Sequence, residues 1–124
     1  MPTPHQLALG KHGEDLACRK LRRLGYAILA RRYRTRHGEI DIVAMDGGVL
    51  VFVEVKTRSS ERFGTPLAAV TPLKQRRLTR MALDYLARSR TTGVPCRFDV
   101  VSVLTGSEPP VVDVVANAFR ATSR

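Results

Sequence analysis

The chain has 124 residues, 44% apolar and 26% charged, a composition that fits a globular domain and excludes a disordered chain. Its net charge is +10 and its pI near 10.8, and 17 of its 21 basic residues are arginines, whose forks match phosphate oxygens; the expected partner is nucleic acid rather than a small acidic metabolite. Two isolated cysteines, Cys18 and Cys96, exclude a disulfide framework or a zinc site and are expected as small core residues in a reducing compartment.

Thr3 and Pro4 read as an N-cap and first helical position and Gly25 as a stop, so a helix is expected over most of residues 4–24. Its apolar stripe is Ala17, Cys18, Leu21 and Leu24, and Glu14 falls on the same stripe. A carboxylate there needs a partner, unless it sits at the stripe's edge and meets solvent or an arginine. Residues 26–33 predict a strand, followed by a basic turn at Arg34 to His37.

Residues 38–58, GEIDIVAMDGGVLVFVEVKTR, predict a hairpin turning at Gly47 and Gly48. Ile40, Ile42 and Ala44 alternate with Glu39 and Asp41 on one strand; Val51, Val53 and Val55 alternate with Phe52, Glu54 and Lys56 on the other. A two-residue turn sets Asp41 opposite Glu54 and Glu39 opposite Lys56. Opposed side chains lie roughly 5 Å apart at Cβ, so two like charges would be pressed together unless a cation sits between them.

The segment Arg58 to Pro66 reads as a mobile connecting loop beside that charged face. A second helix opens at Thr71 and Pro72 and runs to about Arg88, with Leu78, Ala82, Tyr85 and Leu86 facing the core. Gly93 and Pro95 break the chain before a strand at Arg97 to Leu104; a polar turn, a weaker strand at Val111 to Val115 and a short C-terminal helix from Ala116 complete the expectation. The order is helix, three strands, helix, one or two strands: an α/β fold with a mixed sheet flanked by helices, in one domain over residues 1–124. No apolar run approaches the roughly 20 residues of a membrane span, and the expected location is the cytoplasm.

Magnesium or manganese prefers oxygen ligands and uses one or two carboxylates, leaving waters and a substrate phosphate to complete the octahedron. Asp41 and Glu54 suffice, with the Val55 carbonyl as a third ligand and Glu14 approaching from the first helix. Lys56 would orient or deprotonate the attacking water. Arg34, Arg36, Arg58, Lys74, Arg76, Arg77 and Arg80 are expected to follow the phosphate backbone. The plainer account pairs Lys56 with Glu39 and Asp41 with an arginine. His5, His12 and His37 lack metal or triad spacing.

With these residues in place, the chain resembles the YraN family, in Gly13-Glu14-xx-Ala17, Leu24-Gly25-Tyr26, Gly38-Glu39-Ile40-Asp41, Phe52-Val53-Glu54-Val55-Lys56-Thr57-Arg58, Phe63-Gly64, Lys74 with Ala82 and Tyr85-Leu86, and Arg97-Phe98-Asp99-Val100. The resemblance implies a restriction-endonuclease-like fold, similar to archaeal Holliday junction resolvases, and a Mg²⁺ site. The superfamily's acid followed by acid-x-lysine falls on Asp41, Glu54 and Lys56, and its helical acid on Glu14. Glu39 belongs to the family signature as an outer-shell or substrate-positioning group, and Arg32 stands where the family often has asparagine. The implied activity is a Mg²⁺-dependent endonuclease acting on DNA, branched or structured DNA included; a homodimer would suit two-strand cleavage, because a C2 interface presents two equivalent sites. The alternative is a non-catalytic nucleic-acid-binding or adaptor protein on the same fold.

Overall fold

The computed structural model describes residues 1, 3–60, 68 and 70–121. Helix α1 (Pro4–Arg23) starts as its capping residues dictate: the Thr3 hydroxyl accepts from the Gln6 N–H while the Gln6 side chain accepts from the Thr3 N–H. It stops at Gly25, whose φ of +96° suits glycine. Ala17, Cys18 and Leu21 are buried as expected, whereas Leu24 is the C-cap and stays half exposed.

Strands β1 (Ala27–Thr35), β2 (Gly38–Asp46), β3 (Val49–Arg58), β4 (Cys96–Leu104) and β5 (Val111–Phe119) form one sheet in sequence order. Every neighbouring pair is antiparallel except β3 and β4, which run parallel because helix α2 (Pro72–Arg88) crosses between them. Alternation along β3 distributes the core. Val51 and Val53 pack with Ala17, Cys18 and Leu21 of α1, and Leu50 and Phe52 pack with Leu78, Met81 and Ala82 of α2. The helices therefore cover opposite faces of a mixed sheet in the order α-β-β-β-α-β-β, the restriction-endonuclease-like α/β arrangement.

Two expectations are corrected. Over the described residues the chain from Ala116 is not a helix: β5 continues to Phe119, which pairs with Phe98 and stacks its ring on it at 4.7 Å between centroids. Cys96 is exposed at the start of β4, while Cys18 is buried. Leu78, Ala82, Tyr85 and Leu86 face the core as expected, Tyr85 and Leu86 at its partly buried margin, and Met81 joins them. The expected loop lies outside the described residues from 61 to 66, as do Phe63 and Gly64 of the family signature. No helix among the described residues is long and apolar enough to cross a membrane.

Candidate functional site

The β2–β3 ladder begins as the glycine turn requires, with Asp46 opposite Val49, and ends at Ile42 opposite Val53. Beyond that point β2 stays with β1 as far as Thr35 and Gly38, and β3 stays with β4 as far as Arg58 and Leu104. The sheet thus forks between β2 and β3. The expected pairings of Asp41 with Glu54 and of Glu39 with Lys56 are not part of the ladder. Instead the Val55 N–H donates to Asp41 Oδ2 at 2.7 Å, so a side chain bridges the fork where a backbone carbonyl would have stood. An extended residue points its N–H and C=O to the same edge, so the Val55 carbonyl faces the fork as well.

The fork coincides with a reversal of the strand faces. Ile42 packs with α1's cluster but Ile40 packs with α2's, although strict alternation predicts one face for both. On β1 the matching break is Arg32, a non-glycine residue with φ of +52°: Arg31 reaches Asp15 of α1, and the Tyr33 ring meets Tyr85 of α2. A left-handed residue between them turns the chain over. Positive φ is better tolerated by asparagine than by arginine, so Arg32 holds a conformation that its residue type does not favour.

Helix α1 comes close to β3 at Gly13, where a Cβ would fall on the Thr57 side chain. That contact carries Glu14 to the mouth of the fork. Its carboxylate, however, faces β1, accepting from Arg32 Nε at 3.1 Å and lying 3.5 Å from Arg31 Nη2. Among the described residues no three His, Cys, Asp or Glu side chains form a group placed to hold a metal, so the ligand set expected with Glu14 is not assembled.

The other acids divide by face. Asp41 lines a cleft of about 590 Å³ with Glu14, Val55, Lys56 and Thr57. Glu54 lines a smaller cleft of about 120 Å³ under α2 with Glu39, Lys74 and Arg77. The two carboxylates still sense each other: burial first, and then the charge of Glu54, push the Asp41 carboxyl up to about 7, and Glu14 adds to the rise. Among the described residues no arginine or lysine is ion-paired with Asp41, nor is Lys56 bonded to Glu39, which pairs with Arg34 at 2.7 Å. Among the described residues neither plainer account of these charges is met.

The basic residues also separate. Arg34, Arg36, Arg76, Arg77 and Arg80 are exposed, and Arg58 is half-buried at the end of β3. Lys74, expected on phosphate, bonds Glu54 Oε1 at 2.9 Å instead. Beside the Asp41 cleft and sharing Gln6, Gly10 and Glu14 with it lies a wider one of about 690 Å³, lined also by Lys11, Arg32 and Arg34. It is larger but holds none of the acid pair. Lys11 was not expected at the site; its position one helical turn before Glu14 was the signal.

The profile of uncharacterised protein family UPF0102 matches residues 13–103. The chain is similar to a UPF0102 protein of Symbiobacterium thermophilum, 54% identical over 91% of this chain and 97% of that one. It is 48% identical to UPF0102 proteins of Geobacter metallireducens and of Rhodococcus opacus, over 93% of this chain and 94% and 98% of theirs. The chain belongs to the UPF0102 family, which is the YraN family of the resemblance.

Proposed function

We propose that the protein is a Mg²⁺-dependent endonuclease that hydrolyses phosphodiester bonds in DNA. The observation that carries this reading is Asp41: a mostly buried carboxylate beside Glu54, ion-paired with no cation among the described residues, opening on a cleft that also holds Lys56. Burial of two neighbouring acids is unfavourable unless something positive joins them. Asp41, Glu54 and the Val55 carbonyl fit a divalent ion, which takes one or two carboxylates and keeps several waters. When bound there, such an ion lowers the pKa of a water and neutralises charge developing on phosphate.

The chain's own residues supply the rest. Asp41 is fixed by the Val55 N–H, so it meets the reacting group in one orientation. Lys56 makes no bond to another described residue and lines the same cleft, free to orient the attacking water and hold its proton. The adjoining cleft offers Lys11, Arg32 and Arg34 to the flanking strand, whose phosphates would replace Glu14 and Glu39 as partners of Arg32 and Arg34. Arg36, Arg58, Arg76, Arg77 and Arg80 extend the positive surface.

The test is gel-resolved cleavage of labelled single-strand, duplex, flap and four-way-junction DNA with Mg²⁺ or Mn²⁺. Wild type is expected to cut, and Asp41→Asn and Glu54→Gln to lose at least about 100-fold in rate while still binding. Cleavage that persists in Asp41→Asn overturns the site. Binding without cleavage in wild type turns the reading to a nucleic-acid-binding protein on this fold.

A further inference from the structure

We propose that Lys74 is a tethered counter-cation of the acid pair, holding Glu54 until a divalent ion displaces it. This inference rests on the metal-nuclease reading of the site.

Lys74 Nζ lies 2.9 Å from Glu54 Oε1, with the glutamate side chain 12% exposed and the lysine 32%. The bond therefore shields a largely buried acid with a cation that still has access to water. Lys74 stands in the first turn of α2, where its N–H donates to the Thr71 cap. A positive charge there opposes the helix dipole, and α2 has no acid in that turn to offset it. Helix stability does not explain the placement; Glu54 does.

The charge of Lys74 also reaches Asp41, where it opposes the rise caused by Glu54 and Glu14. One ammonium thus tempers both acids at the fork. The side chain type suits a placeholder. Lysine offers a point charge on a flexible, well-hydrated stem and one contact to release, whereas arginine would grip the carboxylate with a planar fork. Arg77 lines the same cleft without an ion pair to Glu54, so the freed ammonium would leave a second positive group beside the site.

The test is Mn²⁺ binding, followed by the paramagnetic signal of the free ion, for wild type, Lys74→Met, Lys74→Gln, Lys74→Arg and Asp41→Asn. Removing the competing charge is expected to tighten Mn²⁺ by about tenfold in both neutral variants, with Lys74→Arg near or weaker than wild type. Two neutral side chains guard against a collapse of the cleft peculiar to one of them. Equal or weaker Mn²⁺ affinity in both, while Asp41→Asn abolishes binding, overturns the role of Lys74 and leaves the metal site standing. If wild type binds no Mn²⁺, the metal reading itself falls and takes this inference with it.

Discussion

Asp41 and Asp99 do the same backbone work in two parts of the sheet and end in opposite states. Each accepts the N–H of a residue on the next strand, Val55 for Asp41 and Asn117 for Asp99; Asp41 sits just past the end of its ladder and Asp99 where the register of its ladder shifts. Asp99 is then saturated: Arg97 donates to both of its oxygens at 2.9 and 3.0 Å and the Tyr26 hydroxyl donates at 2.8 Å, while Arg97 also reaches Asp46 and Tyr26. The phenol is pushed up to about 12 by burial and then by its bond to Asp99, so it remains a donor. Among the described residues Asp41 has the Val55 N–H as its one hydrogen-bond donor, with another acid beside it. A buried carboxylate surrounded by donors serves the fold; one short of them among the described residues, at a fork open to a cleft, is where the proposed function puts a divalent ion.

The largest effect should come from breaking the saturated end. Arg97→Met leaves Asp99, whose side chain is 0% exposed, without its cation, and loss of one partner of a buried pair costs about 3–5 kcal/mol. Urea unfolding should show that loss for Arg97→Met and a change below about 1 kcal/mol for Glu54→Gln. Equal losses would mean that both clusters are structural and would erase the contrast.

Asp41→Asn should act in the other direction. The Asp41 carboxyl titrates near 7 in the folded protein, above its ordinary 3.8, so the native state binds the extra proton between those values. Wild-type stability from this group is therefore present at low pH and lost as pH rises through the window. Asparagine keeps an oxygen for the Val55 N–H and carries no charge. In EDTA the variant should gain stability over wild type progressively above about pH 4, levelling above pH 7 at on the order of 2–4 kcal/mol. Added Mg²⁺ should then stabilise wild type and not the variant. A difference that does not change with pH would place Asp41 in a solvated, ordinary setting.

Much of this contrast is legible in the amino-acid sequence. Glycine punctuation and alternation located the hairpin, its turn and the acids, because a two-residue turn leaves one register for the strands to start in. They failed at Arg32 and Asp41, where a left-handed residue reverses the faces and the ladder gives way to a fork; periodicity assumes a strand that never turns over. Alternation thus puts Ile40 on the face of Ile42, where the structure does not. The destination of Lys74 was hidden for another reason: a long flexible side chain on α2 finds Glu54 through the crossover, a contact between residues far apart in the chain. At Phe119 the pairing with Phe98 overrides a weak local preference.

The smallest predicted effect concerns what holds α1 against the open end. Gly13→Ala would set a Cβ on the Thr57 side chain, whose own Cβ would lie 2.9 Å away, closer than real Cβ contacts fall. In a helix interior alanine gains up to about 1 kcal/mol over glycine, whereas forcing a methyl into a packed contact costs about 1–3 kcal/mol. The clash should win, for a net loss of about 1 kcal/mol. In a Thr57→Gly background the obstacle is gone, and the same change should stabilise by the helix term alone. The sign reversal across this double-mutant cycle is the measurement. Thr57 lines the Asp41 cleft, so a helix pushed off it would widen the site and carry Glu14 away from Asp41. The Asp41 carboxyl should then titrate lower in Gly13→Ala, since one of the charges raising it has withdrawn. An additive cycle would show instead that α1 yields freely, and that Gly13 does not set the position of Glu14.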